Sequence, residues 1–366
     1  KTNLRFLTFF INTLAALNTH ADIVRASFAS AGNDHRLGGN EAPPAIVSAF
    51  IGSQLSELLD ELETSIKAGK LTPEDKTALK LEIGRIPEVL LDNTDRNRTS
   101  TFAFTGNKFE LRAVGSTANC AVPMTVLNTI VSEQLESFKV AVDQRIDKGE
   151  KKDDALLKEL QKLITQSKAI RFEGNGYSDE WVVEAAKRGL SNLKNTPEAL
   201  EVFNRPEVIE LFEKQQVLRK EEVHARVEVE LENYILKLQI EARVLLQMAR
   251  GTILPAAIDY QSQLLLNVQS LNDVFGEDAP KYGGAQLELV KQAGALIQQI
   301  HRESLELDSI HDALEKLESA SEKAKGYAEK MFPSMEALGA TCAQLEVTVD
   351  DALWPLPKFT ELLFTR

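Results

Sequence analysis

The feature that most limits the fold is the long run from about residue 205 onward, where nearly every stretch carries helical signal. Val229, Ile235, Leu238, Val244 and Leu245 are grouped as the apolar face of an amphipathic helix. The pattern predicts helices over 207–212, 220–250, 255–275, 286–319 and 321–345. Breaks are expected at Gly251, Gly276, Pro280, Gly283-Gly284 and Pro333, since glycine and proline interrupt helices. No repeat with the period of a solenoid is visible. Trp354-Pro355-Leu356-Pro357-Lys358 then caps the chain as an extended, non-helical dock.

The first 135 or so residues have a different texture. Leu4, Leu7, Phe10, Ile11, Leu14 and Leu17 recur at helical spacing, so the chain is expected to start at, or inside, an amphipathic helix. It opens Lys1-Thr2-Asn3-Leu4, without Met and without the apolar core of a signal peptide, which is read as processing or as sequence missing upstream. Residues 31–44 carry Gly32, Gly38, Gly39 and Pro43-Pro44 and read as an exposed loop. Residues 45–67 read as a helix, ended by Gly69. From Phe102 to Val114 the sequence alternates as strands do, with Glu110 and Arg112 on one face and Phe109 and Leu111 on the other.

Residues 136–170 are rich in Lys and Glu, centred on Asp147-Lys148-Gly149-Glu150-Lys151-Lys152-Asp153-Asp154, and read as a solvated helix pair or surface insertion. Over all 366 residues, 42 Lys+Arg against 55 Asp+Glu leave a net charge of −13. That balance argues against nucleic acid as a partner, because such binders need a basic footprint. No apolar run approaches the roughly 18 residues that span a bilayer, so no membrane span is expected. Cys120 and Cys342 are too few for a disulfide scaffold or a thiolate metal site, which fits a reduced, cytoplasmic setting.

Phosphate-loop, nucleophile-elbow, zinc-protease and Cys-x-x-Cys motifs are all missing. The five histidines are scattered, and only His35 lies in the Gly-rich loop, beside Asp34 and Arg36. What remains is a set of Arg and Glu residues in loops and strand ends: Arg36 and Glu41, Arg96 and Arg98, then Lys108, Glu110 and Arg112. Arginine's planar fork suits carboxylate and phosphate, and a strand carboxylate suits Mg²⁺ or Mn²⁺. Several cations with one carboxylate point to phosphoryl transfer on anionic substrates, while the plainer reading as structural ion pairs stays open.

Asn33-Asp34-His35-Arg36-Leu37 followed by Asn40-Glu41-Ala42-Pro43 resembles the glutamine synthetase signature S-Y-K-R-L-x-P-G-Y-E-A-P. Asn97-Arg98-Thr99 resembles that family's N-R-S, and Phe109-Glu110-Leu111-Arg112 followed by Ala118-Asn119-Cys120 resembles its I-E-V-R-x-P-D-x-x-A-N-P. The three occur in the family's order. The N-D-H-R-L-G-x-N-E-A-P-P form, the helical tail and the Trp-Pro-Leu-Pro-Lys ending resemble the type III members, whose subunits are about twice as long, so the resemblance is to a C-terminal half.

That resemblance implies a function and a set of roles. The reaction would be ATP-dependent ligation of ammonia to L-glutamate through a γ-glutamyl phosphate, with Mg²⁺ or Mn²⁺. Glu110 would ligate a metal, Arg36 and Arg112 would hold the glutamate carboxylate, and Arg98 would neutralise the transferring phosphoryl group. Lys108 would lie near ATP, and Glu41 would act as the lid glutamate, helping to take a proton from ammonium. The family's I-R-I-P arginine falls on Ala103, so one phosphate contact is lost or supplied elsewhere. The implied fold is α+β: a catalytic-domain segment over 1–135 with antiparallel strands, a lid loop at 32–44 and the metal strand at 109–113, then a charged insertion and linker over 136–204, then a helical C-terminal region over 205–366. A ring-shaped homo-oligomer is the expected assembly, and the piece alone is expected to be inactive. A related γ-glutamyl-amine ligase and a non-catalytic paralogue serving assembly or regulation are the rival readings.

Overall fold

Leu7, Phe10, Ile11, Leu14 and Leu17 are buried along one face of helix α1 (Thr2–Thr19), as their spacing requires. The structure, a computed structural model, describes residues 2–37, 45–67, 98–115 and 118–363. The chain divides into two units, Lys1–Glu230 and Leu231–Arg366. Helices dominate both, and a small three-stranded sheet lies in the first.

Two short helices, α2 (Ala21–Ala26) and α3 (Ala31–Arg36), follow α1. The second of these corrects the expected exposed loop. Ser30 is extended and its hydroxyl accepts from the Asn33 amide, so an N-cap carries Gly32 into a helical turn. Ala31, Asn33 and Leu37 are buried there. The rest of that loop, 38–44 with Glu41, lies outside the described residues, as does 68–97 with Gly69 and Arg96.

Residues 45–67 are not one helix. The chain runs through 45–48 without helix into strand β1 (Ala49–Phe50), and only then begins α4 (Ser53–Lys67). Ala45, Ile46, Val47, Ala49, Phe50 and Ile51 are all buried, and periodicity cannot separate such a continuous apolar run from a buried helix. Strand β2 (Phe102–Phe104) pairs in parallel with β1 and antiparallel with β3 (Phe109–Leu111), so the sheet is mixed where antiparallel strands were expected. Residues 170–172 add to the free edge of β1: the Ala49 amide donates to the Ile170 carbonyl at 2.8 Å, and the Phe172 amide donates to the Ala49 carbonyl at 2.9 Å. Phe102 stacks on Phe109 at 4.8 Å between ring centres, and Phe10 of α1 meets Phe104 and Phe109 at 5.0 and 5.4 Å. This aromatic cluster fastens the hairpin to the first helix.

The charged stretch forms the helix pair α5 (Ala121–Asp147) and α6 (Lys152–Gln166). Only its outer side is solvated, because Phe138, Val142, Leu160 and Ile164 are buried and both helices pack on α1. Helices α7 (Asp179–Lys187), α8 (Thr196–Leu200), α9 (Pro206–Lys214) and α10 (Lys220–Met248) follow. The buried side of α10 is Val223, Val227, Leu231, Ile235 and Leu238. Val229 and Val244 are exposed instead, because at about 100° per residue they project roughly 180° and 120° away from Leu238. With Leu236 and Ile240 they make a second, outward apolar stripe.

The second unit continues through α11 (Leu254–Phe275), α12 (Ala279–Leu314), α13 (Ala320–Gly326), α14 (Phe332–Thr348) and the short α15 (Phe359–Leu362). Of the expected breaks, Gly276 and Pro280 mark the real one. Gly283-Gly284 stays inside α12, while Gly251 sits in a π-turn (Ala249–Ile253) and Pro333 follows another (Tyr327–Met331), so the helical path is widened without being cut. The C-terminal dock is non-helical over 354–358: Trp354 is buried, and the Lys358 ammonium donates to the Val349 carbonyl at 2.8 Å.

Candidate functional site

Strand β3 carries the densest group of the expected residues. Its register places Phe109 in the aromatic cluster and turns Lys108, Glu110 and Arg112 to the other face. The Arg112 guanidinium donates to Glu110 at 3.1 Å, and the Lys108 ammonium lies 3.3 Å from the second oxygen of the same carboxylate. The Arg112 hydrogen bond first, and then Lys108, hold the Glu110 carboxyl below the usual carboxylate range. Glu110 is therefore an anion set between two cations, on a partly exposed face. Ala103, across from Glu110 on β2, is fully buried on the middle strand, where its other cross-strand neighbour is Phe50.

Arg36 comes to the end of this strand through Asn33. The Asn33 side chain, only 2 % exposed, donates its amide to the carbonyls of Phe28 at 2.6 Å and Ala113 at 2.9 Å. Its own oxygen accepts from the Arg36 guanidinium at 2.6 Å. A Cβ on Gly115, which has φ +94°, would stand 3.3 Å from the same guanidinium, so Arg36 lies against the loop that leaves β3. Asp34, next in sequence, accepts from both the amide (2.9 Å) and the hydroxyl (2.8 Å) of Thr196 and sits 3.9 Å from the buried Arg25. The first motif is thus fastened on both sides: Asn33 to the strand, Asp34 to the start of α8.

Arg98 is exposed at the entrance to β2. Its guanidinium lies over the ring of Tyr177, 5.6 Å from the centre, and its carbonyl accepts from the Gly176 amide at 2.6 Å. Neither the organising role of Asn33 nor that of the Asn175-Gly176-Tyr177 turn follows from the sequence pattern alone. Asn-Gly is a turn signal that was available, but nothing local says what the turn touches.

Two expectations have no counterpart among the described residues. Glu41 lies outside them, and no three His, Cys, Asp or Glu side chains come together as a metal site would require. Glu110 fits as one hard oxygen donor of such a shell, not as the whole of it. A groove of about 670 Å³ runs beside α5, lined by Asn119, Met124, Asn128, Ser132 and Gln215 among others. It begins at the third motif, but Arg36, Arg98, Lys108, Glu110 and Arg112 do not line it.

Residues 155–272 match the glutamine synthetase C-terminal domain. The whole chain is 46 % identical to a glutamine synthetase of Bacteroides fragilis (strain YCH46), of which it covers 50 %. It is 35 % identical over its full length to a type-3 glutamine synthetase of Dictyostelium discoideum (49 % of that protein), and 33 % identical over 99 % of its length to a glutamine synthetase of Butyrivibrio fibrisolvens (50 % of that protein). The chain spans about half the length of the curated relatives it matches. Similarity that runs the length of the chain, with the matched C-terminal domain inside it, places this sequence among the glutamine synthetases, with the type III form it resembles represented among its relatives.

Proposed function

We propose that this chain is the C-terminal half of an enzyme that ligates ammonia to L-glutamate at the expense of ATP. The observation that carries the reading is the double anchoring by Asn33, which ties the helix bearing Arg36 to the loop leaving the strand of Glu110 and Arg112. Two arginines from motifs about 75 residues apart in sequence are thereby held to one strand end, as carboxylate recognition by planar forks requires. In this reading Arg36 and Arg112 hold the carboxylate of glutamate, Arg98 and Lys108 face the phosphates, and Glu41 closes over the site as lid and proton acceptor. Exclusion of water by that lid would protect the acyl phosphate from hydrolysis until ammonia attacks.

A divalent cation, Mg²⁺ or Mn²⁺, would neutralise phosphate charge when bound, with Glu110 as one of its oxygen donors. The remaining donors would come from outside the described residues, since a full oxygen shell needs several more than Glu110. The described helices include none long and apolar enough to cross a membrane, which is compatible with a cytoplasmic enzyme working as a ring-shaped homo-oligomer.

The pairing of Glu110 with Lys108 and Arg112 is also what a purely structural ion cluster has, and one substitution separates the two. In the full-length enzyme, Glu110→Ala is expected to abolish Mn²⁺-dependent γ-glutamyl transfer while the oligomer elutes unchanged on gel filtration. Activity near that of the parent would overturn the assignment.

A further inference from the structure

We propose that Tyr177, held in place by Gly176, is a positioning residue for Arg98: its ring lies under the guanidinium in a cation–π contact and leaves the N–H donors to an anionic phosphoryl group. The inference rests on the reading of Arg98 given above and adds a part of the chain that none of the three motifs includes.

The loop that carries Tyr177 is fixed at several points. Phe172 is hydrogen-bonded to β1 and its ring stacks on Trp181 with 3.6 Å between centres. The Glu173 carboxylate accepts from the amides of Ile51 and Gly52, each at 3.1 Å, and from the Ser56 hydroxyl at 2.8 Å, which closes the start of α4. Asn175 accepts from the Tyr177 amide at 3.1 Å, and Ser178 caps α7 by accepting from the Trp181 amide at 3.2 Å.

Against this fixed loop the backbone of Arg98 is clamped. The Gly176 amide donates to the Arg98 carbonyl, and a Cβ at 176 would stand 2.1 Å from the Thr99 carbonyl oxygen and 3.1 Å from that of Arg98. Position 176 therefore accepts only glycine without moving the strand entrance. With the backbone fixed, the ring of Tyr177 beneath the guanidinium restricts the rest of the side chain. An exposed arginine is otherwise free to sample many rotamers, and that freedom is lost at each binding event. A cation–π contact supplies no hydrogen-bond acceptor to the guanidinium, so the gain is in orientation and leaves the donor count unchanged.

The test is steady-state kinetics on the full-length enzyme. Tyr177→Leu is expected to lower kcat of the ATP-dependent reaction roughly fivefold, the size of an exposed cation–π contact, with KM for glutamate unchanged. Tyr177→Phe and Tyr177→Trp keep a ring face and are expected to stay within about twofold of the parent. Arg98→Ala alone is expected to lose on the order of a hundredfold, and adding Tyr177→Leu to it should cost nothing more, since the effect passes through the guanidinium. Parental kcat in Tyr177→Leu with a disabled Arg98→Ala overturns the proposal and leaves the reading of Arg98 standing. Losses that add in the double variant, a loss confined to KM for glutamate, or a low rate in the Phe and Trp variants also overturn it. Parental activity in Arg98→Ala overturns the reading of Arg98 itself, and this inference with it.

Discussion

The two units of the chain solve different problems. In Lys1–Glu230, polar side chains reach far along the sequence to fix particular backbone atoms: Asn33 to Ala113, Asp34 to Thr196, Glu173 to Ile51 and Arg25 to Leu193, over separations of 80 to 168 residues. In Leu231–Arg366 the core is helix against helix, with Leu296, Ile300, Leu307, Leu338 and Leu345 buried and α12 packed on both α11 and α14. Its most connected polar cluster surrounds the buried Tyr327, which donates to the exposed Glu315 at 3.3 Å and contacts the half-buried His311 at 3.0 Å, while Gln239 donates to the same carboxylate at 2.6 Å. Apolar packing sets the separation and tilt of helices but tolerates small slides, whereas a buried hydrogen bond fixes one atom against another. If the first unit aims Arg36, Arg98 and Arg112 at a substrate, as proposed above, it needs the second kind. A unit that serves as a frame is served well enough by the first.

The comparison is tested most severely at Asp34. Replacing it with alanine leaves Arg25, 1 % exposed and with both terminal nitrogens lacking a hydrogen-bond acceptor, without its nearby carboxylate. Burial has already lowered the Arg25 pKa to about 10, against the pull of Asp34 and Glu198. Thr196 loses its acceptor at the same time. Asp34→Ala should therefore destabilise the first unit by about 3–5 kcal/mol, the usual cost of breaking a buried pair from one side. The chain has two tryptophans, Trp181 in the first unit and Trp354 in the second, so urea unfolding followed by Trp181 fluorescence in a Trp354→Phe background reports on the right half. An unchanged midpoint would mean that these long-range polar ties are not what stabilises the unit.

The same contrast explains what the sequence disclosed. Features written in local periodicity were legible: the buried face of α1, the two faces of β3, and the extents of α10 and α11 to within a few residues. The motifs single out Arg36, Glu110 and Arg112, and these three do lie together at one strand end. Features that depend on distant partners were not. Strand β1 reads as helix in the sequence because a run buried on both sides has no period to read. Gly283-Gly284 was taken for a break because the cost of glycine in a helix is visible in sequence, while the packing of α12 against α11 that outweighs it is not. The roles of Asn33, Glu173 and Tyr177 lie in contacts with residues more than 75 positions away, which one sequence does not encode locally.

If the second unit is mainly an apolar frame, its polar cluster should matter less than Asp34. Tyr327 is fully buried, and burial, more than any neighbour, raises its hydroxyl pKa to about 12. Tyr327→Phe keeps the ring and removes only the hydroxyl. Glu315 retains Gln239 and Lys323, and half-buried His311 can turn to water, so the expected loss is about 1 kcal/mol. Unfolding followed by Trp354 fluorescence in a Trp181→Phe background measures it. A loss as large as that of Asp34→Ala would show that the second unit, too, relies on fixed polar atoms.

The smallest effect expected lies in the first unit and depends on pH. His20, largely buried, is 3.8 Å from Glu133, and burial lowers its pKa below the ordinary 6.5 despite the opposing pull of that carboxylate. The unfolded chain therefore takes up a proton at His20 before the folded chain does. Stability should fall as pH drops through 6.5, by at most about 1.4 kcal/mol per pH unit, and level off once the folded imidazole is protonated as well. Above pH 6.5 both states are neutral and the effect is gone. His20→Gln removes the titrating group, so the difference between variant and parent in urea midpoints at pH 7.5 and pH 5.5 isolates it. The parent should lose more than the variant on acidification. If the parent gains instead, Glu133 outweighs burial, and the contact belongs with the ion pairs of this unit and not with its buried neutral groups.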